Sequence, residues 1–500
     1  MNKALSVFMF VLLLVSMSTM ASKIQPVKAE PKTWTVDDDG PADFTSISEA
    51  IATANSGDTV YVYNGTYHEN VFIHKSLTLI GENKYGTIVD VDYGTAVRIE
   101  LTEGVTLTGF TIRNAEIGVS VYWSDHNTIV GNVITNCTWG GPYWGGGISL
   151  EYSNGNTVAD NIISNTTECG IWLNSNNNIV AGNTISETMQ PQPRVSIGVY
   201  FQDPSHDNIV FGNTISQIGI GIYAGTLCYN NTIIGNMISD LTIYGCGINI
   251  WGPNNTIVGN TITNMEYVGI QLNSISSDGK DGVPNACANN VVRGNTISNS
   301  TFGINLILAA SSNTIVENNV ANNSLGILLS DQSNNNTIIG NLVSNSDSGI
   351  LLFSSNNTKV CHNSFIDNVQ QILLSESFNT AWDDGYPSGG NYWSDYGGAD
   401  MFRGPFQNET GSDGIGDTSY IVDTVNQDNY PLMAYGTGLR HVGDVNNNGR
   451  IDILDIAMVA RAFGSCIWQA RYNLSCDFNF DGRVDIKDIA MASSNFGWHQ

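Results

Sequence analysis

Short apolar segments alternate with glycine and asparagine along most of the chain. Between residues 127 and 362 one phrase, Asn-Thr-Ile-x-Gly-Asn-x-Ile, returns with variations, as in Asn127–Ile134, Asn255–Ile262 and Asn336–Val343. A second phrase, Gly followed by Ile or Val, marks the same coils, for example at Gly170 and Gly303. Branched residues favour strands, and Gly and Asn accept left-handed turns. The pattern predicts repeating coils with two short strands each and no helical period.

A coil of about 22 residues cannot bury its apolar side alone, but stacked coils can do so through parallel strand pairing. We therefore predict an all-β fold, a parallel β-helix over residues 96–378, and the crossover rule favours the right-handed form. The second Asn of the phrase, as at Asn132 and Asn161, should form a hydrogen-bonded ladder along the axis. Alignment starts the last coil at Asn356 and places His362 in the ladder slot, either ending the ladder or binding a ligand.

The two ends of the repeat differ from its middle. Within residues 33–95, Ser46 and Glu49 form a capping-box pattern before an apolar face, which predicts a short amphipathic helix that covers the first coils. Residues 379–435 lose the period and are rich in Gly, Asp and aromatic residues, which predicts a C-terminal cap. In this cap, Asp413 and Asp417 either hold a metal ion or close turns.

The start of the chain resembles an export signal. Lys3 precedes an apolar run, Ala4–Val15, and small residues follow up to Ser22. This order is typical of a secretory signal peptide, here residues 1–22, and the run is shorter than the ~20 residues that span a bilayer. We expect a secreted protein, extracellular or at the cell surface, with no membrane span in the mature chain.

The net charge of the chain limits the kinds of partner that it can bind. The chain has 46 acidic and 19 basic residues, a net charge of -27. Such a balance argues against nucleic acid as a partner and suits cations.

Two twelve-residue segments near the C-terminus have the spacing of a calcium loop. Asp444–Asp455 and Asp477–Asp488 carry oxygen side chains at positions 1, 3, 5, 9 and 12 and Gly at position 6. Calcium takes six to eight oxygen ligands, and position 7 supplies a main-chain carbonyl. We predict two Ca²⁺ ions, one held by Asp444, Asn446, Asn448, Arg450, Asp452 and Asp455, and the other by Asp477, Asn479, Asp481, Arg483, Asp485 and Asp488.

Residues 441–500, which contain both loops, closely resemble a type I dockerin. Each loop ends in Asp and is followed by a predicted helix, Ile456–Phe463 or Ile489–Phe496, that closes on Phe-Gly. The resemblance implies a small α-helical, EF-hand-like domain that requires calcium to fold and binds a cohesin module on a scaffold or cell surface.

The same resemblance assigns partner-binding positions to the start of each helix. They correspond to Ile453, Leu454, Ile486 and Lys487, which are more apolar than the hydroxyl pairs of many bacterial dockerins. Cys466 and Cys476 are the most plausible disulfide pair, because the rod cysteines that share a slot lie two or three coils apart.

The rod, from about Val60 to Met433, resembles the β-helix repeats of pectate lyases, other polysaccharide-active enzymes and NosD-like exported proteins. Gly389–Tyr396, Gly-Gly-Asn-Tyr-Trp-Ser-Asp-Tyr, is typical of the NosD-like set. The resemblance implies engagement of polysaccharide, by binding or by degradation as a lyase or glycoside hydrolase, and leaves open whether the chain is an enzyme. The alternatives are a non-catalytic, adhesin-like surface rod and a NosD-like copper-associated exported protein.

Candidate residues on the rod are few. Trp123, Trp172 and an insertion, Trp139–Trp144, form a possible sugar platform. A cluster of Tyr200, Asp203 and His206 resembles that of alginate epimerases, although the segment also fits an ordinary coil. Copper transport requires grouped His, Met or Cys, and the seven His are scattered.

Overall fold

The structure is a computed structural model that describes residues 30–138, 146–187, 196–241, 245–274, 287–435, 443–446, 450–467, 469 and 471–497. The predicted signal peptide, the Trp139–Trp144 insertion and the predicted ligand Asn448 lie outside the described residues. None of the helices in these ranges has the length and hydrophobicity needed to span a bilayer.

Each complete coil contains three strands, one more than predicted. In the coil that begins at residue 127 these are Thr128–Val130, Val133–Thr135 and Gly146–Glu151. The extra strand arises because the repeat phrase bends in its middle, where Gly131 has a φ of 68°. Glycine tolerates this left-handed conformation, so one phrase supplies two strands on different sheets.

Stacking of the coils creates three parallel sheets with 14, 14 and 13 strands, named A, B and C in their order along a coil. Sheet A consists of Thr33–Val36, Thr59–Val62, Thr78–Gly81, Thr106–Thr108, Thr128–Val130, Thr157–Ala159, Ile179–Ala181, Ile209–Phe211, Thr232–Ile234, Thr256–Val258, Val291–Arg293, Thr314–Val316, Thr337–Ile339 and Lys359–Cys361. Sheet B consists of Gly65–Tyr67, Thr87–Asp90, Thr111–Arg113, Val133–Thr135, Ile162–Ser164, Thr184–Ser186, Thr214–Ser216, Met237–Leu241, Thr261–Met265, Thr296–Ser298, Asn319–Ala321, Leu342–Ser344, Ser364–Ile366 and Tyr392–Trp393. Sheet C consists of Val71–Ile73, Thr95–Glu100, Ile117–Tyr122, Gly146–Glu151, Cys169–Asn174, Ile197–Phe201, Ile220–Ala224, Cys246–Ile250, Val268–Asn273, Phe302–Ile307, Leu325–Leu329, Ser348–Phe353 and Gln370–Ser375.

The core lies inside the three sheets and is built from columns of branched residues. Because side chains alternate along a strand, the central residue of each short strand of sheets A and B points inward. Ile129 and Ile134 are fully buried and lie in register with Val158 and Ile163 of the next coil. Each such side chain contributes roughly 1.5–3 kcal/mol by burial.

The predicted asparagine ladder is present. The Asn132 backbone N–H and side-chain amide both donate to Asn161 Oδ1, at 2.9 and 3.1 Å. The placement of His362 in this ladder was wrong: Asn341 donates to Asn363 and Asn363 donates to Asn391, so the ladder continues into the cap. His362 instead occupies the slot that glycine holds in most preceding coils.

The N-terminal cap is the predicted helix, Ile47–Thr53, with Ile47, Ala50 and Ile51 buried. Ser46 Oγ accepts the Glu49 N–H at 3.4 Å, as one half of a capping box does. Glu69 completes the cap, since its carboxylate accepts from the N–H of Ile47 at 2.7 Å and of Ser48 at 2.9 Å.

Aromatic rings close the other end of the rod. Trp393, from the final strand of sheet B, stacks between Phe365 and Tyr420, with ring centroids 4.7 and 4.4 Å away. Asp413 and Asp417 accept backbone N–H groups of Gly404, Ile415, Met401 and Phe402. These bonds show that both carboxylates close turns of the cap, one of the two roles expected for them. Two short hairpins, Phe402–Arg403 with Glu409–Thr410 and Tyr420–Ile421 with Gln427–Asp428, complete the cap.

The C-terminal module contains two helices, Ile453–Ala462 and Ile486–Ser494, a 3-10 helix, Leu474–Cys476, and a hairpin of Ser465–Cys466 with Arg483–Val484. Both helices begin three residues before the predicted positions. Asp452 and Asp485 are their N-caps, so the last three positions of each loop are already helical. The expected disulfide between Cys466 and Cys476 is not formed in the structure.

The module contacts the rod through its second loop. A Cβ atom placed on Gly259 would lie 2.2 Å from Phe480 Cβ, and one on Gly482 would lie 2.4 Å from a ring carbon of Phe211. Only glycine allows such close approach at these two positions. The start of the first helix stays exposed, with Ile453 and Leu454 66% and 60% accessible.

Candidate functional site

The second calcium loop is a turn that folds around Asp477. Asp477 Oδ2 accepts from the Gly482 N–H at 2.9 Å and from the Tyr472 hydroxyl at 2.7 Å. Asn479 Oδ1 accepts the Asp481 N–H at 3.1 Å, and Asp488 Oδ1 accepts the Phe478 N–H at 2.7 Å. The oxygens of positions 1, 3, 5 and 12 therefore belong to one compact turn, as a calcium loop requires.

The first loop repeats the closing bonds of the second. Asp455 Oδ1 accepts the Val445 N–H at 2.8 Å, and Asp455 Oδ2 accepts the Asp452 N–H at 3.0 Å. In the second loop Asp488 makes the corresponding bonds to the N–H groups of Phe478 and Asp485. The duplicated sequence thus folds in the same way twice, through the described residues of each loop.

Negative charge accumulates in these turns. Asp444, Asp455, Asp477 and Asp488 are at most 3% accessible. Burial, followed by repulsion from Asp488 and Asp481, raises the pKa of Asp477 to about 6, although the Tyr472 hydroxyl opposes the shift. Burial also raises the pKa of Asp488. A hard divalent cation with oxygen ligands would neutralise both loops, so the donor set fits calcium.

The predicted partner-binding residues lie at the starts of the two helices, and three of the four are apolar. Ile453, Leu454 and Ile486 are each 60–66% accessible. Lys487 Nζ lies 3.1 Å from Asp481 Oδ2, so its charge is paired with the second loop. Exposed branched residues at matching positions are available for contact with a partner protein.

On the rod, the outer face of sheet C carries a row of aromatic and amide side chains. Strand pairing aligns Ser149, Trp172, Tyr200, Tyr223, Asn249, Gln271 and Asn305, one from each successive coil. Their strand neighbours, such as Ile171 and Ile222, point into the core. Tyr200 and Tyr223 make an edge contact at 5.3 Å, and Trp251 lies 6.5 Å from Tyr223. We call this set the sheet C row.

Several polar atoms of this face lack a hydrogen-bond partner in the structure. They are Trp172 Nε1, Asn249 Oδ1, Trp251 Nε1, Asn273 Oδ1 and Asn305 Oδ1, all buried. Buried polar atoms are almost always paired, and those that are not need water, an ion or a ligand. Half of the ten such atoms among the described residues belong to this one face.

An exposed aromatic pair lies near the row, at the ends of two neighbouring sheet C strands. The rings of Trp123 and Tyr152 are 5.0 Å apart and tilted by 31°, and Tyr122 contacts both. Trp123 is 54% and Tyr152 47% accessible. Trp123 and Trp172 were predicted from the sequence as members of this surface, whereas Tyr152, Tyr200 and Tyr223 were not, because only the strand register brings them together.

Asp203 and His206 of the epimerase-like cluster have other partners in the structure. Asp203 accepts hydrogen bonds from the N–H of Leu227 and the hydroxyl of Thr226, which makes it a turn cap. His206 pairs with Asp207 at 2.6 Å and stacks on Tyr229 at 4.7 Å.

A second polar group lies where the rod meets its C-terminal cap. The metal-binding atoms of Cys361, His362 and Asp384 all lie within 4.8 Å of one another. The expectation that no His is grouped with Cys was therefore wrong. Asp384 is 22 residues from His362 and is brought beside it by the cap, which no spacing rule indicates.

Two families match the chain. Residues 51–280 and 273–398 match the family described as periplasmic copper-binding protein (NosD). Residues 442–495 match the dockerin type I domain. Sulfur and nitrogen donors such as those of Cys361 and His362 are of the kind that copper accepts. No curated protein matches the chain.

Solved structures share the architecture at low identity. The catalytic unit of a GH87 α-1,3-glucanase from Streptomyces thermodiastaticus is 17% identical with a TM-score of 0.50, over 70% of this chain and 66% of that one. The Dettilon tailspike protein is 18% identical with a TM-score of 0.47, over 61% and 66%. A PL6 polysaccharide lyase from Pseudopedobacter saltans is 13% identical with a TM-score of 0.42, over 77% and 97%. The chain thus spans just under two thirds of the first two, and the likeness shows the fold alone.

Proposed function

We propose that this chain, which belongs to the NosD family and ends in a type I dockerin domain, is an exported rod that binds polysaccharide and is held by its dockerin on a cohesin-bearing partner. Type I dockerins bind calcium and pair with cohesins, and proteins that bear them are typically extracellular or on the cell surface.

Attachment is supported by the duplicated loops. We propose one Ca²⁺ ion in each, held by the twelve residues named from the sequence. The buried carboxylates Asp477 and Asp488 support this, because they would repel one another without a cation. Ile453, Leu454, Ile486 and Lys487 would contact the cohesin, since the helices present them on the surface.

The observation that carries the polysaccharide proposal is the exposed Trp123–Tyr152 pair beside the sheet C row. Sugar sites combine aromatic rings with a few polar groups that fix orientation. Trp123 and Tyr152 supply an apolar platform that is open to solvent, and Tyr122 contacts both rings. Most of the sheet C row is buried beside this pair and supports it from within.

The test is binding of the calcium-loaded full chain to a panel of neutral glycans and polyuronides, with release of reducing or unsaturated ends measured in parallel. The double variant Trp123→Ala/Tyr152→Ala should weaken binding at least about tenfold, because central aromatic anchors dominate such contacts. Tyr93→Ala, which removes another exposed tyrosine, is the matched control and should bind as the wild type does.

Three outcomes are informative. Binding without product ends supports a non-catalytic rod, and binding with product ends identifies an enzyme on the same face. Equal binding by the double variant and the control, or no binding to any glycan of the panel, contradicts the proposed surface.

A further inference from the structure

The last strand of sheet A and the residue after it place a thiol and an imidazole side by side. In the last strand of sheet A, Cys361 lies in register with Ile339 of the coil before. The next residue, His362, lies where Gly340 and Gly294 lie in earlier coils, and it keeps their left-handed backbone, with a φ of 58°. Glycine is the commonest residue in this slot, but Asp160 and Glu317 also occupy it with a positive φ, so the slot accepts a polar side chain.

Both side chains are enclosed by the C-terminal cap. Cys361 is fully buried and His362 is 7% accessible. The cap brings Asp384 to them, so that one sulfur, one imidazole nitrogen and one carboxylate oxygen lie within 4.8 Å of one another. Asp384 is partly exposed, with its side chain 42% accessible, and leaves a path to solvent.

One ring nitrogen of the histidine contacts Ser388. His362 Nε2 lies 3.1 Å from the Ser388 carbonyl oxygen and 3.1 Å from the Ser388 hydroxyl oxygen, which itself lies 3.4 Å from Asp384 Oδ2. The carbonyl can only accept, whereas the hydroxyl can donate or accept, so the tautomer depends on which contact Nε2 makes. When Nε2–H donates to the carbonyl, Nδ1 offers its lone pair, an arrangement that is common among metal-binding histidines.

We propose that Cys361, His362 and Asp384 form a binding site for one borderline or soft transition-metal ion, Zn²⁺ or copper, with the fourth position open. Thiolate and imidazole donors select this class of ion, whereas calcium and magnesium prefer oxygen alone. This donor set contains a thiol and an imidazole, whereas the donors of the two calcium loops are all oxygen atoms.

Lys359 competes with the metal for its carboxylate. Lys359 Nζ lies 2.7 Å from Asp384 Oδ1 in the structure. A bound cation would displace this ammonium group or share the carboxylate with it. The site should therefore bind metal more tightly when Lys359 loses its charge, a response that a purely structural ion pair would not show.

The experiment uses the full chain, reduced, without oxygen and with saturating calcium so that the dockerin loops are occupied. Co²⁺ serves as the spectroscopic probe, because a thiolate ligand gives an intense charge-transfer band. Zn²⁺ and Cu⁺ are then titrated separately against chromophoric chelators. The wild type should bind about one equivalent of thiolate-ligated metal.

Matched variants locate the site. Cys361→Ser should abolish the band, and His362→Gly, which restores the residue of earlier coils, should weaken binding by at least about tenfold. Lys359→Gln should tighten binding by about tenfold, through removal of one nearby positive charge. Cys137→Ser, another buried thiol of the rod, should change nothing.

Preference for Zn²⁺ supports a borderline-ion site, and preference for Cu⁺ supports a soft-ion site. Absence of a thiolate band, a band unchanged in Cys361→Ser, or an equal affinity in Lys359→Gln would overturn it. Retained amide-exchange protection in His362→Gly confirms that its weaker binding reflects the lost ligand and not a lost coil. None of these readouts depends on glycan binding, so this site and the proposed sugar surface can fail separately.

Discussion

The rod and the dockerin both bury polar side chains by repetition, but they neutralise them differently. In the ladders of the rod the buried polar residues are neutral amides, and each donates to the amide of the next coil. In the dockerin they are carboxylates, and the same duplication that repeats the fold also repeats the charge. Buried polar residues that repeat can therefore hydrogen-bond to one another when they are neutral. When they are charged, they need a bound ion.

The largest expected difference is the response to calcium. Asp477→Ala should reduce the calcium bound from two ions to one and unfold the second loop, because position 1 anchors the turn. At a thousandfold excess over Kd, one ion stabilises a fold by about 4 kcal/mol, and this contribution should be lost. Isothermal titration counts the ions. Asp417→Ala, in the rod cap, should leave two, and a dockerin that still binds two ions after Asp477→Ala would contradict the assignment.

The next effect separates folding of the dockerin from its recognition surface. Ile453→Asp/Ile486→Asp should leave calcium binding intact, since both residues point into solvent. The free energy of cohesin binding should become about 4 kcal/mol less favourable, a loss of affinity of roughly a thousandfold, if each residue contributes as an interface hot spot. Surface-bound cohesin measures the loss. Unchanged affinity would move the interface elsewhere on the module.

A third prediction concerns the ladder. The Asn260 side chain donates to the carbonyls of Ile233 and Val258 and to Asn295, and it accepts from Asn236. Asn260→Ala should destabilise the rod by about 3 kcal/mol, because several buried partners lose their hydrogen bonds. Denaturant unfolding, followed by the spectroscopic signal of the strands of the rod, measures this loss of stability.

The control is Asn70→Ala, whose side chain also donates two hydrogen bonds but is exposed. This substitution should lower the free energy of unfolding of the rod much less than Asn260→Ala does. Addition of calcium should rescue neither variant, and a rod that recovered with calcium would erase the distinction between the two regions.

The smallest effect is one place where the rod does bury a carboxylate. Burial raises the pKa of Asp428 to about 7, against three N–H donors that favour the ionised form. The folded cap then holds a proton that the unfolded chain releases near its ordinary pKa of 3.8. Stability of the cap should therefore fall as pH rises from about 4 to about 7, by about 1 kcal/mol between pH 6 and pH 7.

Amide exchange in the cap, at pH 6 and pH 7, measures this change. Asp428→Asn should remove the pH dependence, although it leaves one N–H donor facing an amide NH₂. A cap whose protection is flat across this range in the wild type would show that Asp428 stays ionised.

Much of the fold could be predicted from the sequence because the recurring Asn and Gly positions show how the coils align. The recurrence of Asn five residues after Asn, and of Gly before Ile, placed the coils and the ladder. The third strand was missed because Gly131 and its equivalents bend the phrase in its middle, which period counting cannot detect. His362 was misplaced because Thr358 replaces the first Asn of the phrase in the last coil, and only strand pairing shows which residue fills that slot.

The calcium loops were identifiable because all ligands of one ion lie within twelve residues. Rod sites draw one residue from each coil, so Tyr200 and Tyr223 meet across 23 residues, and Trp123 and Tyr152 meet across 29. The Cys361–His362–Asp384 group depends on how the cap folds back. Spacing rules describe local ligands well and describe assembled ones poorly.

The most direct test of the account is calorimetry of the intact chain with calcium and with a chelator. We predict two transitions, of which the smaller, from the dockerin, is lost or shifted strongly downward by the chelator. The larger transition of the rod should keep its midpoint, because its buried amides satisfy one another. A chelator that left both transitions in place, or lowered both together, would contradict the claim that calcium holds one region and hydrogen-bonded amides the other.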